Sequence, residues 1–124
     1  MPNAETKPME LWFVYVPVPE IKPALAFYRD QLGLEEAWRE GEDTVAFKLP
    51  GTETQLMIDR VGDAGSAYVG PLFGLPSVDG FFAANQGKVE FDGEPQDIPG
   101  GRLVAARDNA GNALYFMDQT TAPA

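Results

Sequence analysis

Apolar and polar positions along this chain change period in a fixed order, and the order occurs twice. Leu11–Val18 (LWFVYVPV) is β-branched and aromatic, which predicts a strand. Pro19 and Pro23 frame a helix start, because proline suits a first turn and not an interior. Ile21, Leu25, Tyr28 and Leu32 then recur at helical spacing, one apolar stripe to lay against a sheet. Gly33 supplies the stop. Three extended pieces follow, around Glu36–Glu40, Thr44–Leu49 and Gln55–Asp59, the last two joined as a hairpin at Pro50-Gly51.

A shift of sixty residues brings the second half onto the first. Phe13 meets Phe73, Val18 meets Val78, Ala46 meets Ala106, Gly51 meets Gly111 and Met57 meets Met117. The repeat predicts a strand at Pro71–Pro76, a helix from about Asp79 to Gln86, and strands at Lys88–Phe91, Arg102–Arg107 and Asn112–Asp118. Asp79 is the expected N-cap and Gly87 the expected stop. The second helix is shorter, and the loop Asp92–Gly101 restores the offset. Each half is thus β-α-β-β-β. Such a unit covers one sheet face with its helix and must curl the other around something. The expected fold is α+β: two tandem βαβββ units forming a curved eight-stranded mixed sheet around a concave cavity. One domain spans residues 10–118, with repeat one at about 10–59, a linker at 60–70 and repeat two at about 71–118. Residues 1–9 and 119–124 read as tails.

Composition narrows the job. Nine Lys and Arg stand against nineteen Asp and Glu, a net charge of −10. That field repels phosphate backbones, excluding nucleic acid as a partner, and attracts cations. No apolar run approaches the ~20 residues that span a bilayer, and no signal-peptide pattern opens the chain, so a cytoplasmic protein with no membrane partner is expected. There is no cysteine and no histidine. Disulfides, thiolate nucleophiles and imidazole metal ligands are therefore excluded. Ser66 and Ser77 have no base paired to them in the sequence, and no residue is nominated as catalytic. Asp59 and Asp118, at strand ends, are expected to be more exposed than central.

Two motifs go further. FYRDQLGL at Phe27–Leu34 follows a Val-x-x-Ile strand–helix joint, and RDNAGN at Arg107–Asn112 precedes the last strand. Together they resemble the vicinal oxygen chelate superfamily, which includes glyoxalase I, bleomycin-resistance proteins and extradiol dioxygenases. The resemblance covers about residues 10–118, with one departure: Asp108-Asn109 stands where the family often has Asp-Pro. It implies a metal ligand early in the first strand and another in the last strand of each half. Those positions fall on Phe13, Gln55, Phe73 and Tyr115. Two of the four cannot bind a metal, glutamine is a weak neutral donor, and tyrosine would need deprotonating. The expectation is no metal and no cofactor.

Alternation assigns faces. With the first helix on the Trp12 side, Phe13 and Tyr15 line the concavity. The same parity turns Gln55 and Met57, Phe73 and Leu75, and Ala113, Tyr115 and Met117 inward. Trp38, on an acidic strand, can stack on a planar or cationic ligand or cover a dimer contact. The candidate ligand-binding residues are Phe13, Tyr15, Trp38, Gln55, Met57, Phe73 and Tyr115; the alternative is that they pack together as a second core. The resulting expectation is a metal-free protein, closest in style to the bleomycin-resistance proteins, that binds and sequesters a small molecule, cationic or aromatic. The resemblance further implies a two-fold homodimer. The alternatives are a lyase, isomerase or dioxygenase with substitute oxygen ligands, and a degenerate copy kept as a structural or regulatory partner.

Overall fold

Nine strands and two α-helices are present among the described residues of the computed structural model, which are 9–61 and 68–121. Ser66, most of the 60–70 linker and much of both tails lie outside them. The chain divides into two compact units, one of residues 12–70, here called N-terminal, and one of residues 71–124 that also takes the residues up to Leu11 and is here called C-terminal.

The N-terminal unit runs β1 (Glu10–Val18), α1 (Ile21–Leu25), β2 (Glu36–Glu40), β3 (Thr44–Lys48) and β4 (Gln55–Arg60). Its sheet is mixed. β1 pairs parallel to β4, while β4–β3 and β3–β2 are antiparallel, which leaves β2 at the edge. An edge strand exposes unpaired backbone groups, and the charges of EAWRE guard it. Val18, Ala24, Leu25, Val45, Phe47 and Ile58 form the core between α1 and the sheet, with Val16, Ile21, Tyr28, Leu34 and Leu56 packed around it.

The expected helical stripe needs one correction. α1 passes directly into a π-helix, Ala26–Gln31, and the Leu32 N–H bonds to the Phe27 carbonyl, five residues back. The wider turn rotates Leu32 off the stripe, leaving it 56% exposed, and Leu34 reaches the core instead. Gly33 then turns the chain with φ +78, a conformation in which a Cβ would be strained.

The C-terminal unit runs β5 (Gly70–Gly74), α2 (Val78–Ala84), β6 (Glu90–Phe91), β7 (Gln96–Ile98), β8 (Gly101–Arg107) and β9 (Ala113–Met117). β5 pairs parallel to β9, β9 pairs antiparallel to β8, and β6 and β7 both pair antiparallel to β8. The β-α-β-β-β order of the repeat therefore holds in each unit, with β7 as an addition inside the loop expected at Asp92–Gly101. Val78, Leu75, Val104, Ala106 and Phe116 make its core, joined by Phe73, Phe81, Phe82 and Phe91.

Two further expectations are corrected here. Ser77, not Asp79, caps α2: its hydroxyl accepts from the Gly80 N–H at 3.0 Å, while Asp79 in the first turn pairs with Arg102. Asp118 is only 1% exposed. Its carboxylate accepts the N–H of Val78 (2.7 Å) and Arg102 (2.9 Å) and both the N–H and hydroxyl of Thr120 (3.2 and 2.9 Å). Burial pushes this carboxyl's pKa up, but the bonds from Val78, Thr120 and Arg102 outweigh it and hold the group below the usual carboxylate range.

Candidate functional site

Register decides which side chains share a face. In the N-terminal unit Phe13 lies beside Gln55, Tyr15 beside Met57 and Pro17 beside Asp59. On the other side of β4, Ala46 lies beside Met57 and Thr44 beside Asp59. Val16, Val45, Phe47, Leu56 and Ile58 pack under α1, so the alternate set faces away from it. Phe13, Tyr15, Gln55 and Met57 thus stand together, as their alternation predicted.

Trp38 joins them through a β-bulge. Between Glu36 and Trp38 the pairing with β3 slips by one residue, so that Trp38 lies beside Ala46 rather than Val45. A bulge re-aims the side chains that follow it. Here it places the indole on the Phe13 face and leaves Glu36 and Arg39 on the other, where they form an ion pair at 2.7 Å. Trp38 meets Phe13 edge to face, with ring centroids 5.8 Å apart and planes at 83°. Its indole N–H donates to Gln55 Oε1 at 2.9 Å. An indole N–H can only donate, so the glutamine must present its oxygen there. The Gln55 NH2 group has no partner among the described residues. Trp38 keeps 38% of its surface exposed, whereas Met57 is buried on the same face.

Asp59 completes this face and was missed in the sequence. The same alternation that turns Gln55 and Met57 away from α1 turns Asp59 with them, two positions on. Its carboxylate accepts the Tyr15 hydroxyl and the Thr44 hydroxyl, each at 2.6 Å.

The C-terminal unit departs from the expected facing. Leu72, not Phe73, lies beside Tyr115, and Phe73 lies beside Phe116. Phe73 stacks on Phe116 at 5.7 Å within the core under α2, and Leu75 is buried in that same core. The offset between repeats is the cause. Leu72 follows Phe13 by fifty-nine residues, while Tyr115 follows Gln55 by sixty. One residue of slip reverses the face of a whole strand. Tyr115 does turn away from α2, with Ala113 and Met117, and is buried.

These positions do not fit a divalent ion. The ligand positions implied for the N-terminal unit hold Phe13, with no donor atom, and Gln55, a weak neutral donor whose oxygen already accepts the Trp38 N–H. Those of the C-terminal unit hold Leu72 and Tyr115. A hard cation needs several anionic oxygens or imidazoles together, and among the described residues no group of three such side chains could hold one.

Two open clefts of the N-terminal unit lie mostly away from the aromatic face. One of about 600 Å³, between Leu34, Glu35 and the β3–β4 turn, reaches it only at Gln55. The other, of about 610 Å³, lies between the start of α1 and the β2–β3 turn. No helix among the described residues is long and apolar enough to cross a membrane.

Over residues 11–116 the sequence matches the family described as Glyoxalase/Bleomycin resistance protein/Dioxygenase superfamily. Among solved structures, the chain is similar to an NAD-dependent benzaldehyde dehydrogenase from Legionella pneumophila (TM-score 0.70, 15% identity, covering 86% of this chain and 97% of that one). Methylmalonyl-CoA epimerase from Mycobacterium tuberculosis is also similar (TM-score 0.69, 17% identity, 91% and 88% covered). A hypothetical protein from Bacillus halodurans C-125 matches with a TM-score of 0.68 at 14% identity, 94% and 98% covered. At such identities the likeness is one of fold. No curated protein matches the sequence.

Proposed function

Because the chain belongs to the Glyoxalase/Bleomycin resistance protein/Dioxygenase superfamily, we propose that it uses this fold to bind and sequester a small planar molecule without a metal. One observation carries the reading: the exposed Trp38 indole, braced edge-on by Phe13 and bonded to Gln55, beside an amide NH2 that has no partner among the described residues. A flat ring laid on the indole gains stacking and removes apolar surface from water. The Gln55 NH2 donates to a carbonyl or ring nitrogen at the ligand's edge, fixing its orientation. No bond is made or broken. The dehydrogenase and epimerase among the structural neighbours share the fold alone; the donor set at the positions that the resemblance assigns to metal supports capture rather than metal-assisted chemistry.

Thermal denaturation with a series of planar heteroaromatic probes tests this. A ligand that binds the native state at a hundred times its Kd stabilises by about 2.7 kcal/mol and raises the melting temperature. Trp38→Ala is expected to weaken binding about tenfold, or about 1.4 kcal/mol, with little change in the ligand-free melting temperature. Equal binding by the variant would remove Trp38 from the site and overturn the reading.

A further inference from the structure

The face that holds Trp38 carries a second feature, at its other end. Asp59 is a half-buried carboxylate whose two oxygens are each held by a neutral hydroxyl: Oδ2 by Tyr15 and Oδ1 by Thr44, both at 2.6 Å. A carboxylate offers about four acceptor positions, so these bonds orient the group and fill only half of them. They also leave its charge unbalanced. Every other partner in the ion pairs among the described residues lies elsewhere, and no Lys or Arg pairs with Asp59. Partly desolvated charge without a counter-charge is costly unless a cation arrives to share it. The nearest strand neighbours on this face, Pro17, Met57, Tyr15 and Thr44, bring none.

We infer that Asp59, set by Tyr15 and Thr44, is an ammonium-binding subsite, and that the ligand class is an aromatic amine reaching from Trp38 to Asp59. The inference rests on the proposed aromatic site and adds the charge and length of its occupant. Asp59 lies four residues along β4 from Gln55, a separation of about 13 Å at the ordinary rise of a strand. Met57 lies between them on the same face and supplies an apolar, polarizable floor. The ligand therefore has a flat ring at one end and a protonated amine about 10–13 Å away. An N⁺–H donor to a carboxylate is stronger than a neutral hydrogen bond, so the amine end is where selectivity lies.

Two probes separate the parts: a naphthyl ring carrying a hexyl chain that ends in an amine, and the same molecule ending in a hydroxyl. Calorimetric titration of the wild-type protein should show the amine binding at least tenfold tighter. Asp59→Asn keeps an acceptor for a hydroxyl but removes the charge, and should bring amine affinity down to that of the alcohol while leaving the alcohol unchanged. Tyr15→Phe retains the carboxylate and should keep the preference for the amine, guarding against a general loss of folding. Trp38→Ala should weaken both probes alike. An amine preference that survives Asp59→Asn overturns the subsite. Amine binding that depends on Asp59 but not on Trp38 sustains the subsite and refutes the aromatic site. Binding of neither probe to the wild-type protein refutes both.

Discussion

Asp118→Ala is expected to destabilise the protein by about 3–5 kcal/mol, because buried donors that lose an ionised acceptor cost about 1–3 kcal/mol each. The carboxylate serves as second cap to α2, taking the N–H of Val78 that no helical carbonyl can reach. It also ties the start of β8 through Arg102 and the chain after β9 through Thr120. Alanine leaves the buried Val78 N–H and the half-buried Arg102 N–H without that acceptor, while water can reach the exposed Thr120. Gly101→Ala should act on the same joint, since a Cβ there would fall on the backbone and carboxylate of Asp118. The pH dependence has a definite sign. Asp118 has its pKa lowered in the folded state, so the unfolded chain binds the proton more readily. Its contribution is full above the ordinary carboxylate pKa of about 4 and is lost as pH falls through the lower folded value. Asp118→Asn should accordingly flatten the wild-type loss of stability below about pH 4, as read from denaturant midpoints across pH.

The second large effect concerns the N-terminal core. Phe47 is fully buried, within 6.0 Å of the Tyr28 ring, and packs beneath α1. Phe47→Ala should cost about 3–5 kcal/mol, the usual toll of a large cavity in a packed core. Leu32→Ala should cost under about 0.5 kcal/mol, since the π-helix leaves that side chain exposed. The helical spacing of Ile21, Leu25, Tyr28 and Leu32 would have ranked Leu32 with the core. Urea unfolding of the two variants distinguishes the geometries: a large loss at Leu32 would restore the unbroken α-helix.

That contrast marks where the sequence is legible. Alternation and turn residues are local, so β1–β4 and the facing of Phe13, Tyr15, Gln55 and Met57 follow from the residues themselves. The switch to a π-helix after Leu25 depends on how that segment seats against the sheet, and no residue type announces it. Nor does the bulge between Glu36 and Trp38 show in EAWRE, although it decides which face the indole occupies. In the second half a uniform sixty-residue offset fails at β5, where the offset is one less. Phe73 was read as the counterpart of Phe13, and Leu72 holds that place. Alternation also places Asp59 on the Phe13 face, two positions beyond Met57, although its place at a strand end suggests exposure. Asp118 could have been suspected from Val78, a helix-start N–H lacking an acceptor, but pairing them requires the folded unit.

Phe13, Gln55, Leu72 and Tyr115 occupy the positions that the resemblance assigns to metal ligands. Gln55 accepts the Trp38 indole N–H through its oxygen, and its NH2 has no partner among the described residues.

Trp12→Phe leaves Trp38 as the sole indole, so its fluorescence reports directly on the proposed site. Titrating that variant with the naphthyl amine in excess chelator should give a saturable change in emission, with the same midpoint after zinc or magnesium is supplied. A midpoint that appears only with added divalent ion, or no saturable change in Trp38 emission, would contradict metal-free binding at this face.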